Sequence, residues 1–453
     1  MAEFTVSQIL EATGGTLVGA VHRQTFGGVS TDTRTIKRGD LFIALKGDNF
    51  DGHDFILRAV ENGAAGVIVS GRETYVPEKT TAILVPDTLA ALQDLARYHR
   101  RRFDIPVVGI TGSNGKTTTK DMTAAVLSGR LRVLKTQANY NNDIGLPQTL
   151  LGLDAGHQAA VVEMGMRARG EISRLAAVAA PTVAVITNVG ETHVEVLGSV
   201  ENIAAAKGEL VEALAADGVA ILNADLPLVR AMQAKTAARV VLYGLGPEAG
   251  VRAENIVAGE RATAFDCVHP GGHFSVTVPA VGKHNIYNAL AAIAVGLELG
   301  LSPDEINAGL ATFQASAMRL AIETLGPYTV INDAYNASPL SMQAAVETLG
   351  TVARGRKVAV LGDMLELGEL AAAAHSQVGE QLADNGVEVV VTVGEQARHI
   401  AAAALAGGVK VAVACEGHGE AAEALRKLLR PGDTVLVKGS RGMKMEKMLS
   451  VFK

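Results

Sequence analysis

In the segment VVGITGSNGKTTTKDM, Lys116 and three consecutive threonines follow a turn made by Gly112, Ser113, Asn114 and Gly115. An apolar strand, a glycine-bearing turn and a helix start, in that order, are what a nucleotide phosphate site requires. Glycines admit backbone amides to phosphate oxygens, the helix start adds unpaired N–H groups and a positive dipole end, and Lys116 supplies a full charge. Thr117, with Thr118 beside it, stands where a hydroxyl ligand to magnesium belongs. The strict spacing GxxxxGK[ST] is not met, because its first glycine would fall on Ile110. A turn without a ligand gives no reason for this lysine and its threonines, so nucleotide binding is expected.

Further groups with chemistry follow at strand ends. Glu163 ends the strand-like AAVVE, at the edge where parallel sheets gather ligands. His193 comes just after PTVAVITNV, and Lys207 lies inside the helical run NIAAAKGELVEAL, where a solvated lysine is the ordinary reading. His284, Asn285 and Asn288 share one helix face by their spacing. Arg319, then Asp333, Tyr335, Asn336, Ala337 and Ser338 before Pro339, then Lys438, Ser440 and Arg441 mark three more turns near the end of the chain. Pro339 suits a first helical turn.

The elements that must position these residues form an α/β chain of three parts. At 453 residues the chain is too long for one ordinary core. Residues 1–85 mix short strands with glycine-rich turns, giving a small α/β domain. Residues 86–315 alternate strands and helices around the phosphate loop, with an antiparallel excursion at VHPGGHFSVTVPAVG, and the helix HNIYNALAAIAVGLELG is expected to close the domain. Residues 316–453 alternate again, from YTVIND to DTVLVKGS, as in a Rossmann-like domain.

Composition excludes several classes. Apolar residues make up 48% and mean hydropathy is +0.23, but every apolar run is interrupted well short of the roughly 18 residues a membrane span needs. The start MAEFTVSQIL has Glu3 where a signal peptide carries positive charge, so a cytoplasmic protein is expected. A net charge of −6 with interspersed signs speaks against nucleic acid. Cys267 and Cys415 have no metal or disulfide spacing and are expected to be inert thiols.

TGSNGKTTT, VVEMGM and TNVGETHVEVLGSVENIAAAKGEL together resemble the Mur ligase family, the amide-forming enzymes of peptidoglycan assembly. STDTR, LFIALKGDNFDGHDF, TQANYNNDIGLP, GKHNIYNALAA and LVKGSRGMKME extend the resemblance over the whole chain in the family's order. INDAYNASPLSM is similar to the branch that adds D-alanyl-D-alanine to UDP-N-acetylmuramoyl-tripeptide. The resemblance implies ATP as the activating substrate, two magnesium ions, a UDP-binding first domain, a central ATPase domain and a mobile C-terminal domain in a monomer.

It also implies roles. Glu163 and Thr117 would hold one magnesium, and His193 would serve a second with Lys207 as a carbamate, while Asn188 holds the loop. His284, Asn285 and Asn288 would serve adenine and ribose, Asp333 the ribose, and Arg319 the γ-phosphate and carboxylate. Ser30, Thr31, Arg34, Lys46 and Gly47 would take the UDP end, and Asn139, Asn142 and Asp143 would line its path. Tyr335, Asn336, Ala337 and Ser338 would lie near the peptide substrates, with Lys438, Ser440 and Arg441 completing the closed site. The alternatives are a sister ligase adding another amino acid, a folylpolyglutamate or cyanophycin synthetase, and, in a different class, a slow ATP-hydrolysing regulator.

Overall fold

The computed structural model describes residues 2–47, 49–71 and 74–453. Three large sheets follow one another along the chain, beside a two-stranded one that pairs Phe4–Thr5 with Thr25–Phe26. The first has five strands in the order Thr16–Val18, Thr81–Leu84, Gly66–Val69, Leu41–Ile43 and Val29–Ser30. Only its Thr16–Val18 edge runs antiparallel to its neighbour. The helix Ile56–Glu61 packs Ile56 and Ala59 on the core face formed by Phe42, Val67 and Ala82.

The second sheet has nine strands: Gly272–Val278, Thr263–His269, Val251–Ala258, Arg239–Gly244, Val219–Asn223, Val183–Ile186, Val107–Thr111, Ala159–Glu163 and Val133–Lys135. The seven strands from Val133–Lys135 to Val251–Ala258 are parallel, and the last two form the antiparallel excursion expected from the sequence. Val107–Thr111 lies between Ala159–Glu163 on one side and Val183–Ile186 on the other, so the chain reverses its direction of travel across the sheet at this strand. The crevice outside the carboxyl ends of such strands is where ligands collect. The phosphate loop, Glu163 and the turn after Ile186 all open into it.

Both faces of this sheet are covered, as near-continuous apolar strands require. Val108, Ile110, Val161 and Val185 face the helices Lys116–Ser128 and Lys283–Glu298, while Val107, Ala160, Val162 and Ile186 face the other way. One difference from expectation is small: Lys283–Glu298 does not close this part, because Pro303–Ala311 follows it. That helix has a Ser302/Glu305 capping box and Pro303 at its first position, and it buries Ile306 and Leu310 beside Val126.

The third sheet has six strands: Ala321–Leu325, Tyr328–Asp333, Thr434–Lys438, Lys357–Gly362, Val389–Val393 and Val411–Cys415. All pairs but the first are parallel, and helices cover both faces. Among the described residues, no helix is long and apolar enough to cross a membrane. Cys267 and Cys415 are buried and unpaired, and burial pushes both thiols up, Cys267 to about 12.

Candidate active site

A cavity of about 1060 Å³ opens between the second and third sheets, at the carboxyl ends of both. Its floor is the phosphate loop. Gly115 caps the helix Lys116–Ser128 in the left-handed conformation at φ 77°, and an added Cβ there would stand 2.6 Å from Asn288 Oδ1. Gly112 has φ 154° and presses against Thr187, leaving no room for a side chain. Asn188 grips the loop from the neighbouring strand: its Oδ1 accepts from the Asn114 amide at 2.8 Å and its Nδ2 donates to the Asn114 carbonyl at 3.1 Å. Ser113 Oγ accepts from the Gly190 amide at 2.9 Å and donates to the Gly190 carbonyl at 3.1 Å.

Lys116 folds over the loop, its ammonium donating to the Gly112 carbonyl at 2.7 Å and the Ser113 carbonyl at 3.1 Å. Burial holds its pKa below the usual amine range, with Glu163 pulling the other way. Thr117 Oγ1 donates to Glu163 Oε2 at 2.8 Å, and Asn141 Nδ2 donates to Glu163 Oε1 at 2.7 Å. A hydroxyl and a carboxylate, one residue beyond a phosphate-binding lysine, are oxygen donors suited to magnesium, which takes few protein oxygens and completes its shell with phosphate and water.

His193 sits across the crevice in the left-handed conformation at φ 61°. Burial pushes its pKa down, against the pull of Glu366. Behind it, Lys207 is 2% exposed on the helix Val200–Glu212. No hydrogen bond reaches its ammonium from a described residue, and burial, with Lys116 nearby, holds it well below the ordinary lysine range. Burial of this kind disfavours the charged form, in contrast to the solvated lysine that its helical setting alone predicts.

Farther along the cavity wall, Thr119 Oγ1 donates to Asn288 Oδ1 at 3.1 Å, Asn288 Nδ2 to Asn285 Oδ1 at 3.1 Å, and Asn285 Nδ2 to the Val281 carbonyl at 2.8 Å. Asn288, braced by Asn285, thus ties the helix Lys283–Glu298 to the helix Lys116–Ser128. His284 lines the cavity, its Nε2 buried without a partner, and burial beside Lys438 pushes it down to about 4.

The third sheet supplies the roof. Arg319 lies 4.1 Å over the Tyr335 ring. Lys438, 2% exposed, donates to Asp333 Oδ2 at 2.5 Å and to the Asn336 carbonyl at 2.9 Å. Burial pushes the Asp333 carboxyl up against that pull. Ser338 caps the helix Pro339–Val352 and donates to Asn114 Oδ1 at 3.0 Å, touching the phosphate loop. Ser440 Oγ accepts from the Leu365 amide at 2.9 Å, and Arg441 pairs with Glu446 at 2.6 Å.

The cavity therefore brings together the residues from Ser113 to Thr118, Asn139, Glu163, His193, His284, Asn285, Asn288, Arg319, Asp333, the run from Tyr335 to Ser338, Lys438, Ser440 and Arg441. Gly112 and Lys207 stand behind its wall. Ser30, Thr31, Arg34, Lys46 and Gly47 do not line it, because they occupy the carboxyl edge of the first sheet. Arg34 is paired with Asp32 and Lys46 with Asp51. Asn142 and Asp143 also lie outside the lining. The Asn142 side chain accepts from the Gly145 amide at 2.8 Å and the Asp143 carbonyl accepts from Gln93 at 3.1 Å. They start the helix Gly145–Leu150, whose Gln148 donates to Thr31 Oγ1 at 2.5 Å and so links the first sheet to this helix. Asn141, Arg167, Asp225, Tyr287 and Glu366 line the cavity without having been singled out from the sequence.

Three family models match the chain in succession. These are the Mur ligase family catalytic domain at residues 25–100, the Mur ligase middle domain at 110–296, and the Mur ligase glutamate ligase domain at 318–441. The UDP-N-acetylmuramoyl-tripeptide--D-alanyl-D-alanine ligase of Bacillus subtilis (strain 168) is 42% identical over 456 residues, covering 99% of this chain and 98% of that one. MurF from Acinetobacter baumannii is similar in structure with a TM-score of 0.91 at 33% identity, covering 99% and 98% of the two chains. MurF ligase from Thermotoga maritima in complex with ADP gives 0.84 at 30% identity, covering 94% and 96%. The three matched stretches correspond to the three sheets, and the chain belongs to the Mur ligase family.

Proposed function

We propose that this chain is the ATP-dependent ligase that joins D-alanyl-D-alanine to UDP-N-acetylmuramoyl-tripeptide, giving the pentapeptide, ADP and phosphate in cytoplasmic peptidoglycan synthesis. The observation that carries the reading is the cavity in which the phosphate loop and Glu163 from the middle sheet face Arg319, Asp333 and Lys438 from the last one. Phosphate-binding and acyl-handling groups there surround one space.

A carboxylate does not react with an amine in water, because the oxide it must lose is a poor leaving group. One carboxylate oxygen of the tripeptide therefore attacks the γ-phosphorus, the bond from phosphorus to the β,γ-bridging oxygen breaks, and ADP leaves with that electron pair. The amine then attacks the acyl carbon, a tetrahedral intermediate forms, and the carbon–oxygen bond to phosphate breaks as the amine nitrogen loses its proton. The chain's task is to position these groups and neutralise charge.

The loop amides and Lys116 hold the transferring phosphoryl group. Arg319, with a planar guanidinium suited to oxyanions, spans the γ-phosphate and the carboxylate. Thr117 and Glu163 would hold one magnesium, and His193 with Lys207 as a carbamate would hold a second. Magnesium, when bound, screens the charge of the phosphate oxygens. Lys207 suits the modification because burial favours its neutral form: the nitrogen lone pair bonds the carbon of CO2, one C=O pair moves to oxygen, and the nitrogen releases a proton. Asp333 takes the ribose, and His284, Asn285 and Asn288 the nucleoside. The edge of the first sheet, at Ser30, Thr31, Arg34, Lys46 and Gly47, takes the UDP end, with Asn139, Asn142 and Asp143 along the path between. Tyr335, Asn336, Ala337, Ser440 and Arg441 face the peptides. The protein acts as a monomer of three domains, at residues 1–85, 86–315 and 316–453.

Phosphate release with ATP and magnesium tests this. It should require both UDP-N-acetylmuramoyl-tripeptide and D-alanyl-D-alanine, and the pentapeptide should appear by mass. Release with a different acid or amine would overturn the substrate assignment.

A further inference from the structure

The GDMLELGE loop after the strand Lys357–Gly362 reaches across to the middle sheet. Glu366 Oε2 lies 2.5 Å from His193 Nδ1, and its Oε1 accepts from Arg167 Nη2 at 2.9 Å. Both sides of the contact hold an uncommon backbone: Glu366 has φ 63° and His193 φ 61°. Left-handed residues other than glycine persist where surrounding structure over-determines them, and they concentrate at functional sites. The loop is so determined. The Met364 amide donates to His375 Nε2 at 2.9 Å and the Leu365 amide to Ser440 Oγ at 2.9 Å, so Glu366 stands on a fixed platform.

A carboxylate on Nδ1 has a defined effect on an imidazole. It holds the proton on Nδ1, leaves the lone pair on Nε2, and fixes the plane of the ring. That is the form a cation binds, and metal-ligating histidines commonly hand their other nitrogen to a carboxylate, which raises ligand basicity. His193 Nε2 makes no hydrogen bond among the described residues, and the residue lines the cavity. From this geometry we infer that Glu366 is a positioning residue, supplied by the C-terminal domain, that orients His193 as a ligand to a divalent cation. The inference rests on the reading of His193 as a metal ligand given above.

A consequence follows from where the two residues stand. His193 belongs to the middle domain and Glu366 to the C-terminal one, so the second cation site is complete only while the domains are docked. Cation affinity and docking must then favour each other reciprocally. Glu366 does not touch the reacting atoms. Its removal acts through the cation.

The test uses the full chain with Mn²⁺ and β,γ-methylene-ATP, counting free Mn²⁺ by electron paramagnetic resonance and reading nitrogen modulation from a directly bound imidazole. Glu366→Ala should weaken the second Mn²⁺ about tenfold or more and diminish the nitrogen signal, leaving the first ion in place, and Glu366→Gln should recover part of the loss. Arg167→Ala, which keeps the His193 contact, should stay within about twofold of the parent, well inside that loss. His193→Ala should abolish the nitrogen signal. If His193→Ala removes the signal and Glu366→Ala changes neither affinity nor signal, the inference about Glu366 is overturned by itself. If His193→Ala changes nothing, the metal reading fails and takes this inference with it. Equal losses in Arg167→Ala and Glu366→Ala would overturn it too, by making the contact a general seam effect.

Discussion

The middle domain has two seams, and they are made of different things. Toward the first domain the seam is apolar: one continuous core runs from Phe4, Ile9 and Phe26 through Leu92, Leu95 and Leu146 to Val162 and Ile186. Toward the C-terminal domain the cores are separate, and contact is made by Asn114 with Ser338, His193 and Arg167 with Glu366, and Leu340 packed on Gly190. Burying apolar side chains at about 25 cal/mol per Å² resists separation, whereas each net hydrogen bond adds only about 0.5 to 1.5 kcal/mol. The first seam is an apolar core and the second a set of polar contacts with little apolar burial. The cavity is accordingly lined from both sides of the second seam, by the loop residues Gly115 and Lys116 and by Glu163 on one side and by Arg319, Asp333 and Lys438 on the other.

The largest expected effect tests the phosphate-loop side of the cavity. Lys116→Ala should lower kcat about a thousandfold, the scale of losing a group that stabilises transition-state charge, with the thermal transition little changed. Comparable turnover in that variant would show that the loop is not the phosphate site.

The seam contrast is broken or sharpened next. Leu92→Ala should destabilise the first and middle domains together by about 2 to 5 kcal/mol, seen in urea melts. Ser338→Ala should cost only about 1 kcal/mol, the scale of a lost helix N-cap, yet lower kcat/KM for D-alanyl-D-alanine. Equal destabilisation by both would erase the difference between the seams.

Acid sensitivity gives a smaller effect. The His284 folded pKa is depressed to about 4 from 6.5. Between those values the unfolded chain binds the extra proton, so stability is full above the unfolded value and falls as pH drops from 6.5 toward 4. The loss is at most about 3 kcal/mol. His284→Asn should flatten that part of the stability profile, as read by denaturant midpoints across pH. An unchanged slope would remove His284 as its source.

The smallest effect belongs to the remote edge of the first sheet. Arg34→Ala, at an exposed pair with Asp32, should leave stability within about 0.5 kcal/mol and raise KM for the UDP substrate several-fold. Steady-state kinetics with the UDP-tripeptide varied would read this.

The phosphate loop was legible in the sequence because its parts are neighbours: Gly115, Lys116 and Thr117 act within one turn. The two Rossmann-like alternations were legible for the same reason, since strand and helix periodicities are local. Lys207 was legible only through the family resemblance, because its helical run by itself gives no sign that the face it occupies is buried. Glu366 was missed although it stands just beyond a strand end, the same signal that marks Glu163 and Lys438. Its importance depends on His193, 173 positions earlier. Asn141 sits between Asn139 and Asn142 in NYNNDIG, and only the bond to Glu163 separates it from its neighbours. Asp225 and Tyr287 meet by a hydrogen bond of 2.8 Å across 62 positions, which no local pattern encodes.

The most direct test of the account follows an oxygen atom. UDP-N-acetylmuramoyl-tripeptide labelled with ¹⁸O in its terminal carboxylate would be turned over with ATP and D-alanyl-D-alanine, and the released phosphate examined by mass. Activation as an acyl phosphate predicts that each phosphate formed from fully labelled acid carries one ¹⁸O, taken from the carboxylate as the amide forms. Unlabelled phosphate would mean that ATP is cleaved by water and that the cavity between the two domains does not activate the acid.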